Sequence, residues 1–346
     1  MEGIQFERLK YMKNDFMFGI YCDSTDIQRK DTIKRMHEVG IEWIRTQIPG
    51  FPFKDPEKLE FTDNFLAFTK MIENLRANGF QILLITFFPS QVPESFGTSG
   101  SSRYYQNCEN ACRFLAQYFE KDVQYWKIAN EMNLEMFRKP LTIDEAIRYL
   151  KVCGKGIKKG NPSAKICVNM ADFDETALYM YKKLYCGKKV IFDYVGSNGY
   201  FGSWHPGGPH SWDTALEKLH KLTKKPIVIQ EWGYSSRGDV MTEDERSTGV
   251  YPCKLKKWWY KWKDGHSEKE QAEYIVEAMN VFLSKQYVIG AFYFMWSDRE
   301  RCWQCGLPNC PIETGWGLTD TKGNPKPSYY AYQSVIQSFK QIRGTF

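Results

Sequence analysis

Two short stretches of the chain end an apolar run on a carboxylate. "WKIANEMNLE" (126–135) carries Asn130 and Glu131 side by side, and "PIVIQEWGY" (226–234) closes on Glu231, 231 − 131 = 100 residues further on. Such groups are not hidden cheaply, because a charge taken out of water must be paired or hydrogen-bonded. Two carboxyl groups facing one pocket are the equipment of glycosidic-bond cleavage. One protonates the departing oxygen, and the other attacks or stabilises the cationic sugar. A single glutamate at such a place is as readily explained as a helix-cap neighbour or half of a surface ion pair. Two at matching places, one preceded by Asn and the other followed by Trp-Gly-Tyr, are harder to explain that way.

A second set of candidates lies in two long segments. "CKLKKWWYKWKDGH" (253–266) interleaves Trp258, Trp259 and Trp262 with five lysines. It reads as a packed lid with a solvated rim, as a flat surface for sugar rings with lysines suited to an acidic glycan, or as an amphipathic turn on a membrane surface. "CWQCGLPNC" (302–310) spaces Cys302, Cys305 and Cys310 as C-x2-C-x4-C, and Cys253 could complete a closed four-thiolate zinc site of structural type. Free thiols and, in an oxidising compartment, disulfides are the competing readings. Cys108 and Cys112, four apart on an expected helix, read as core. His205 and His210 are not spaced as a catalytic metal pair and read as loop structure. Five histidines are few for a metal-dependent barrel hydrolase.

The elements that must position these residues follow from hydrophobic period. Short apolar runs end on polar residues or Gly, and each is followed by a helical stretch. The runs fall at 16–22, 41–48, 80–88, 123–130, 164–170, 191–198, 226–231 and 288–296. Helical spacing is found near 26–39, 62–78, 107–119, 142–160, 174–186, 211–222, 268–285 and 326–343. Eight such units predict a parallel sheet closed into an α/β (β/α)8 TIM barrel, in which polar strand ends aim at the substrate. An open doubly wound sheet would normally show a Gly-rich phosphate turn after an early strand, and none is present. No linker or repeat divides the chain, so residues 1–346 are expected to form one domain, with long loops at 232–267 and 297–325.

Composition bounds the remaining possibilities. Lys plus Arg number 47 against 41 acidic residues, a net +6 that is too small to argue for nucleic acid. An aromatic share of 16% exceeds what a core needs and suits sugar or peptide contact. No stretch has the length and apolarity of a transmembrane span, and "MEGIQFERLKYMKNDF" lacks a signal-peptide pattern. A cytoplasmic location is the expectation, although a secreted chain trimmed of its leader would look the same; oligomeric state is not legible.

Here the sequence resembles the clan A glycoside hydrolases, the retaining barrel enzymes that include cellulases, mannanases, xylanases and β-glycosidases. "IANEMN" stands where that group carries the Asn-Glu pair of strand four, and "IVIQEWGY" where it carries the strand-seven nucleophile. The resemblance runs over essentially the whole chain as an ordered set of strand ends. It implies Glu131 as acid/base, Glu231 as nucleophile and Asn130 as partner of the sugar 2-hydroxyl. Arg45, in "EWIRTQIP", matches an Arg that steadies the nucleophile, and Tyr200, in "VGSNGYFGSW", a residue that hydrogen-bonds it. Trp296, in "FYFMWSD", matches a Trp that floors the subsite being cleaved; Trp204 and Trp232 join it as substrate-binding candidates. One departure is "LITFFPSQVP", where Phe87 and Phe88 stand near a His carried by several clan members.

The implied chemistry is two-step retaining hydrolysis of a β-linked polysaccharide or oligosaccharide, with no cofactor for catalysis. Glu131 enters the reaction protonated, and carboxyl groups about 5–5.5 Å apart would accompany retention. A barrel that binds carbohydrate without cleaving it, and a transglycosylase using the same residues, are the rival readings.

Overall fold

A computed structural model describes residues 16–55 and 58–344; residues 1–15, most of the stretch read above for a leader, lie outside the described residues. Eight strands answer the eight predicted runs. They are β1 (Met17–Tyr21), β2 (Trp43–Gln47), β3 (Gln81–Ile85), β4 (Tyr125–Lys127), β5 (Lys165–Cys167), β6 (Val195–Gly199), β7 (Ile227–Trp232) and β8 (Val288–Tyr293). They share one sheet in the order β5-β4-β3-β2-β1-β8-β7-β6. Registers such as Ile44 with Ile82 between β2 and β3, and Met17 with Gly290 between β1 and β8, are parallel. Past the ends of that order, the Asp193 amide donates to the Ile166 carbonyl at 2.9 Å and the Gly196 amide to Val168 at 3.0 Å, bringing β6 alongside β5. The fold is a nearly closed (β/α)8 barrel, as the strand–helix alternation predicts.

Helices α1 (Thr32–Val39), α2 (Asp63–Ala77), α3 (Ser102–Tyr118), α4 (Ile143–Gly160), α5 (Glu175–Tyr185), α6 (Ser211–Thr223), α7 (Glu268–Leu283) and α8 (Pro327–Gly344) fill the intervals. Several begin where a short polar side chain can cover orphan amides. Thr62, Ser101 and Asp174 accept from the third residue beyond them, and Thr142 forms a reciprocal box with Glu145. No helix among the described residues is long and apolar enough to cross a membrane.

The chain groups into two compact units. One takes in residues up to Ile41, Gly199–Glu217 and those from Glu231 onward; the other takes in Glu42–Asn198 and Lys218–Gln230. In the first, β1 pairs with β8, and the loop after β8 is tied down by the buried Lys326 ammonium. That group donates to Asp298 at 3.0 Å, to Ser236 at 2.9 Å and to the Gly317 carbonyl at 2.9 Å. Such a pair is tolerated away from water because every donor finds an acceptor. In the second, α3 and α4 approach closely over two glycines. A Cβ on Gly156 would lie 2.3 Å from the Glu109 carbonyl oxygen, and one on Gly160 would lie 2.1 Å from that of Arg113.

This close approach generates a prediction. Gly156→Ala forces α3 and α4 apart and should lower unfolding free energy by about 1–3 kcal/mol, the usual cost of overpacking. Urea titration checks it: an unchanged midpoint would mean the helices do not depend on backbone contact there.

Candidate active site

In the unit that carries β4, the chain leaves the strand through an unusual backbone. Ala129 and Glu131 take positive φ values of 51° and 47°, a region that costs residues with a Cβ roughly 1–2 kcal/mol each. Strain of this kind persists where surrounding bonds over-determine it, and it concentrates at working sites. Here the Ala129 amide donates to Thr86 Oγ1 at 3.0 Å, the Glu131 amide to Asn169 Oδ1 at 3.3 Å, and Asn133 exchanges two bonds with Ala171. The turn delivers Glu131 to Asn198, whose amide donates to Glu131 Oε1 at 2.7 Å. Asn130 is oriented by its oxygen, which accepts from the buried Lys127 ammonium, from Asn169 at 3.1 Å and from Asn198 at 3.4 Å. Its NH2 group is therefore the free end, a donor with no protein partner among the described residues.

The other unit presents the end of β7. Tyr200, just beyond β6, donates its hydroxyl to Glu231 Oε2 at 2.8 Å. The Tyr200 ring is fixed against Trp316, with centroids 4.9 Å apart, and against Phe294 at 6.1 Å. A third carboxyl group belongs to the same neighbourhood. Glu313, in the loop after β8, accepts from Trp316 Nε1 at 3.0 Å and from Gln304 Nε2 at 2.7 Å. Burial pushes its acid constant up to about 7; donors from Trp303, Gln304 and Trp316 oppose that rise, and the charge of Glu231 adds to it. Glu313 thus holds its proton into the range where an ordinary glutamate has lost it. Nothing in its sequence surroundings, "CPIETGWG", marks it, since it closes no apolar run. Asn169, Asn198 and Trp316 were equally silent, because each gains its place only through folding.

The remaining expected residues fall into distinct places. Arg45 lies midway along β2 rather than at its end, and is buried. Trp204 meets Tyr251, Trp258 and Trp259 in an aromatic group with centroids 5.8, 5.4 and 5.4 Å away. Trp232 is wholly buried and packs edge-on against Phe282 and Tyr293. Successive residues of a strand point to opposite faces, so a neighbour of Glu231 must point away from it. Trp296 is also buried, edge-on to Tyr329 at 6.1 Å. Trp316, in the loop after β8, is an indole that packs on Tyr200.

Trp258 is fully buried, donating to the Arg237 carbonyl, and Trp262 packs on Tyr234 and Tyr274. At the departure near strand three, Phe87 is buried against Phe51 and Tyr149, while Phe88 stacks on Phe137. The four loop cysteines come together, with thiol sulfurs all within 4.8 Å of one another.

Comparison with solved structures finds the same architecture in barrel glycoside hydrolases. Native xylanase 10B from Thermotoga maritima matches with a TM-score of 0.69 and 18% identity, over 99% of this chain and 98% of that one. The GH53 catalytic domain from Ignisphaera aggregans matches at 0.65 and 18%, over 94% and 98%. A family 39 glycoside hydrolase from Bacteroides cellulosilyticus WH2 matches at 0.65 and 17%; 92% of this chain aligns, spanning 63% of that protein's length. No match is found among curated protein sequences. The protein is a clan A glycoside hydrolase, a retaining β-glycosidase. The sequence pattern of Glycosyl hydrolase family 53 matches residues 108–306, and the chain belongs to that family.

Glu313 yields a prediction with a definite sign. Between about pH 4.5 and 7 the unfolded chain has released this proton while the folded chain keeps it, so stability must fall as pH rises through that window. The full effect is on the order of 3 kcal/mol. Glu313→Gln should flatten that part of the stability profile, as read from urea midpoints across pH. A variant with the parent's slope would show that Glu313 ionises normally.

Proposed function

We propose that the protein cleaves β-1,4-linked galactan within the chain, with Glu231 as nucleophile and Glu131 as acid/base. Membership of family 53 motivates the substrate. One observation carries the residue assignment: Glu131, in the turn after β4, and Glu231, at the end of β7, are each only 8% exposed and each hydrogen-bonded by a neutral donor, Asn198 and Tyr200. Carboxyl groups meant only for stability gain little from such placement, since breaking even one bond leaves a buried charge.

In this reading Tyr200 orients Glu231 by donating to its Oε2, and the Glu231 carboxylate attacks the anomeric carbon. Glu131 delivers its proton to the departing glycosidic oxygen, so that bond breaks as the ester bond to Glu231 forms. Glu131 then takes a proton from water, and the resulting hydroxide equivalent releases the sugar with its β configuration restored. Asn130 donates its NH2 to the 2-hydroxyl, a contact that strengthens as the ring becomes an oxocarbenium ion. Glu313, with its acid constant raised to about 7, carries less negative charge near Glu231 than an ordinary glutamate would. Two carboxyl groups suffice for these steps, and no metal or organic cofactor enters them. Trp204, Tyr251 and Trp259 offer aromatic faces to the apolar side of further galactose units.

The test is hydrolysis of galactan, xylan, mannan and glucan, with proton NMR of the first product formed. Galactan cleavage with an initial β-anomer is expected; an initial α-anomer would end the double-displacement reading, and activity on xylan or mannan alone would end the galactan one. Glu131→Gln should lower kcat/KM by about 10²–10⁴-fold, the range for general acid–base groups. Glu231→Gln should abolish formation of the covalent intermediate, as followed by mass spectrometry with a slow fluorinated glycoside. Turnover at parental rates in either variant would reassign the role.

A further inference from the structure

Ten cysteines are present, and all are free thiols. Cys108, Cys112 and Cys153 belong to the apolar contact between α3 and α4, are fully buried beside Tyr104 and Tyr149, and behave as small hydrophobes there. Cys253, Cys302, Cys305 and Cys310 differ in kind. They come from two loops, the one after β7 and the one after β8, and converge on one point.

We infer that Cys253, Cys302, Cys305 and Cys310 bind one zinc ion as a closed tetrathiolate site that fastens the loop after β7 to the loop after β8. A tetrahedron of sulfurs about 2.3 Å from zinc has edges of about 3.8 Å. The Cys253 and Cys302 sulfurs lie 3.7 Å apart, and no pair among the four exceeds 4.8 Å. Disulfides need only two pairs and give no reason for all four to converge. The peptide also supplies the bonds that a thiolate needs. The Leu307 amide donates to the Cys305 sulfur and the Ile312 amide to the Cys310 sulfur, in each case from two residues further on. Amide donors of this kind delocalise the negative charge of metal-bound sulfur and set its direction.

The turn that aims the first of these amides runs through Gly306 at φ 74°, with the Gly306 amide donating to the Cys302 carbonyl at 2.7 Å. Only glycine takes that conformation freely. Cys253, Cys302 and Cys310 are buried against Trp258, Ile312 and Trp316, Cys305 lies on the solvent side, and four sulfurs would leave zinc no open position. Four sulfurs in a tetrahedral set select zinc or iron, and a closed zinc site is structural rather than catalytic.

The clamp also has a route to the catalytic residues, a step that rests on the proposed function. Gln304, inside the C-x2-C knuckle, donates to Glu313, and Glu313 accepts from Trp316, which supports the Tyr200 ring. The zinc-free protein should therefore hold Tyr200 and its bond to Glu231 less well.

The full chain, purified under reducing conditions with zinc supplied, should contain about one zinc per chain by atomic emission. A mercurial thiol reagent should release it in step with four thiols. Co2+ in its place should give sulfur-to-cobalt charge-transfer bands and the absorption of a tetrahedral ion. Cys302→Ser combined with Cys310→Ser should lose the metal. Zinc absent from the reduced protein, iron in its place, an octahedral cobalt spectrum, or zinc retained by the double variant would each overturn the site. Should that variant not fold, the mercurial and cobalt measurements on the unaltered chain decide alone. Zinc release should lower kcat/KM by about 10–100-fold, whereas Glu131→Gln should lower it with zinc in place. Full activity after zinc release would overturn the link to Glu313 and leave the binding result standing on its own data.

Discussion

Three carboxyl groups, those of Glu131, Glu231 and Glu313, are buried, and their burial is the constraint around which the rest is arranged. Each must be met by donors that do not themselves bring an uncompensated charge. The protein meets two of them with neutral side chains at strand ends, Asn198 for Glu131 and Tyr200 for Glu231. At Glu313 burial and the charge of Glu231 together raise the acid constant, so this carboxyl holds its proton further up the pH scale than an ordinary glutamate.

Those donors require a scaffold that presents strand ends in parallel. Asn198 comes from β6 and Asn169 from just beyond β5, both within reach of the residues that follow β4 only because neighbouring parallel strands end at one level. The strained turn at Ala129 and Glu131 then converts strand direction into side-chain direction. In the other unit the loops after β7 and β8 take over that work. Trp258, Ile312 and Trp316 form a satellite core with three of the loop cysteines, and Tyr200 and Phe294 pack against it. Long loops ordinarily lose more entropy on ordering than they return in contacts. A metal ion bound by both loops only in the folded state would offset that loss with its binding free energy.

Much of this was legible before folding is considered. All eight strands lie within or against the apolar runs read from the chain, and the helices follow the 3.6-residue spacing, because buried parallel strands and amphipathic helices are patterned by the core they face. Asn130, Glu131 and Glu231 stood out because a polar residue ending an apolar run is an exception that needs a reason, and Tyr200 was singled out by the resemblance to the clan. The C-x2-C spacing announced its cluster for the same kind of reason: a knuckle is a local structure.

Position across the chain was not legible. The burial of Trp232 and Trp296 was not legible in their types, since the direction of an indole depends on the fold around it. Glu313 and Trp316 looked like ordinary loop residues and became neighbours of Tyr200 and Glu231 through contacts that span about a hundred positions. The order and type of elements, and the acids at their ends, were determined by the sequence alone, because they follow from local period and the exclusion of charge from apolar surroundings. Which donors hold those acids, which indole supports the tyrosine and which carboxyl keeps its proton were decided by tertiary structure. Those outcomes depend on burial and on distances between residues far apart in the chain.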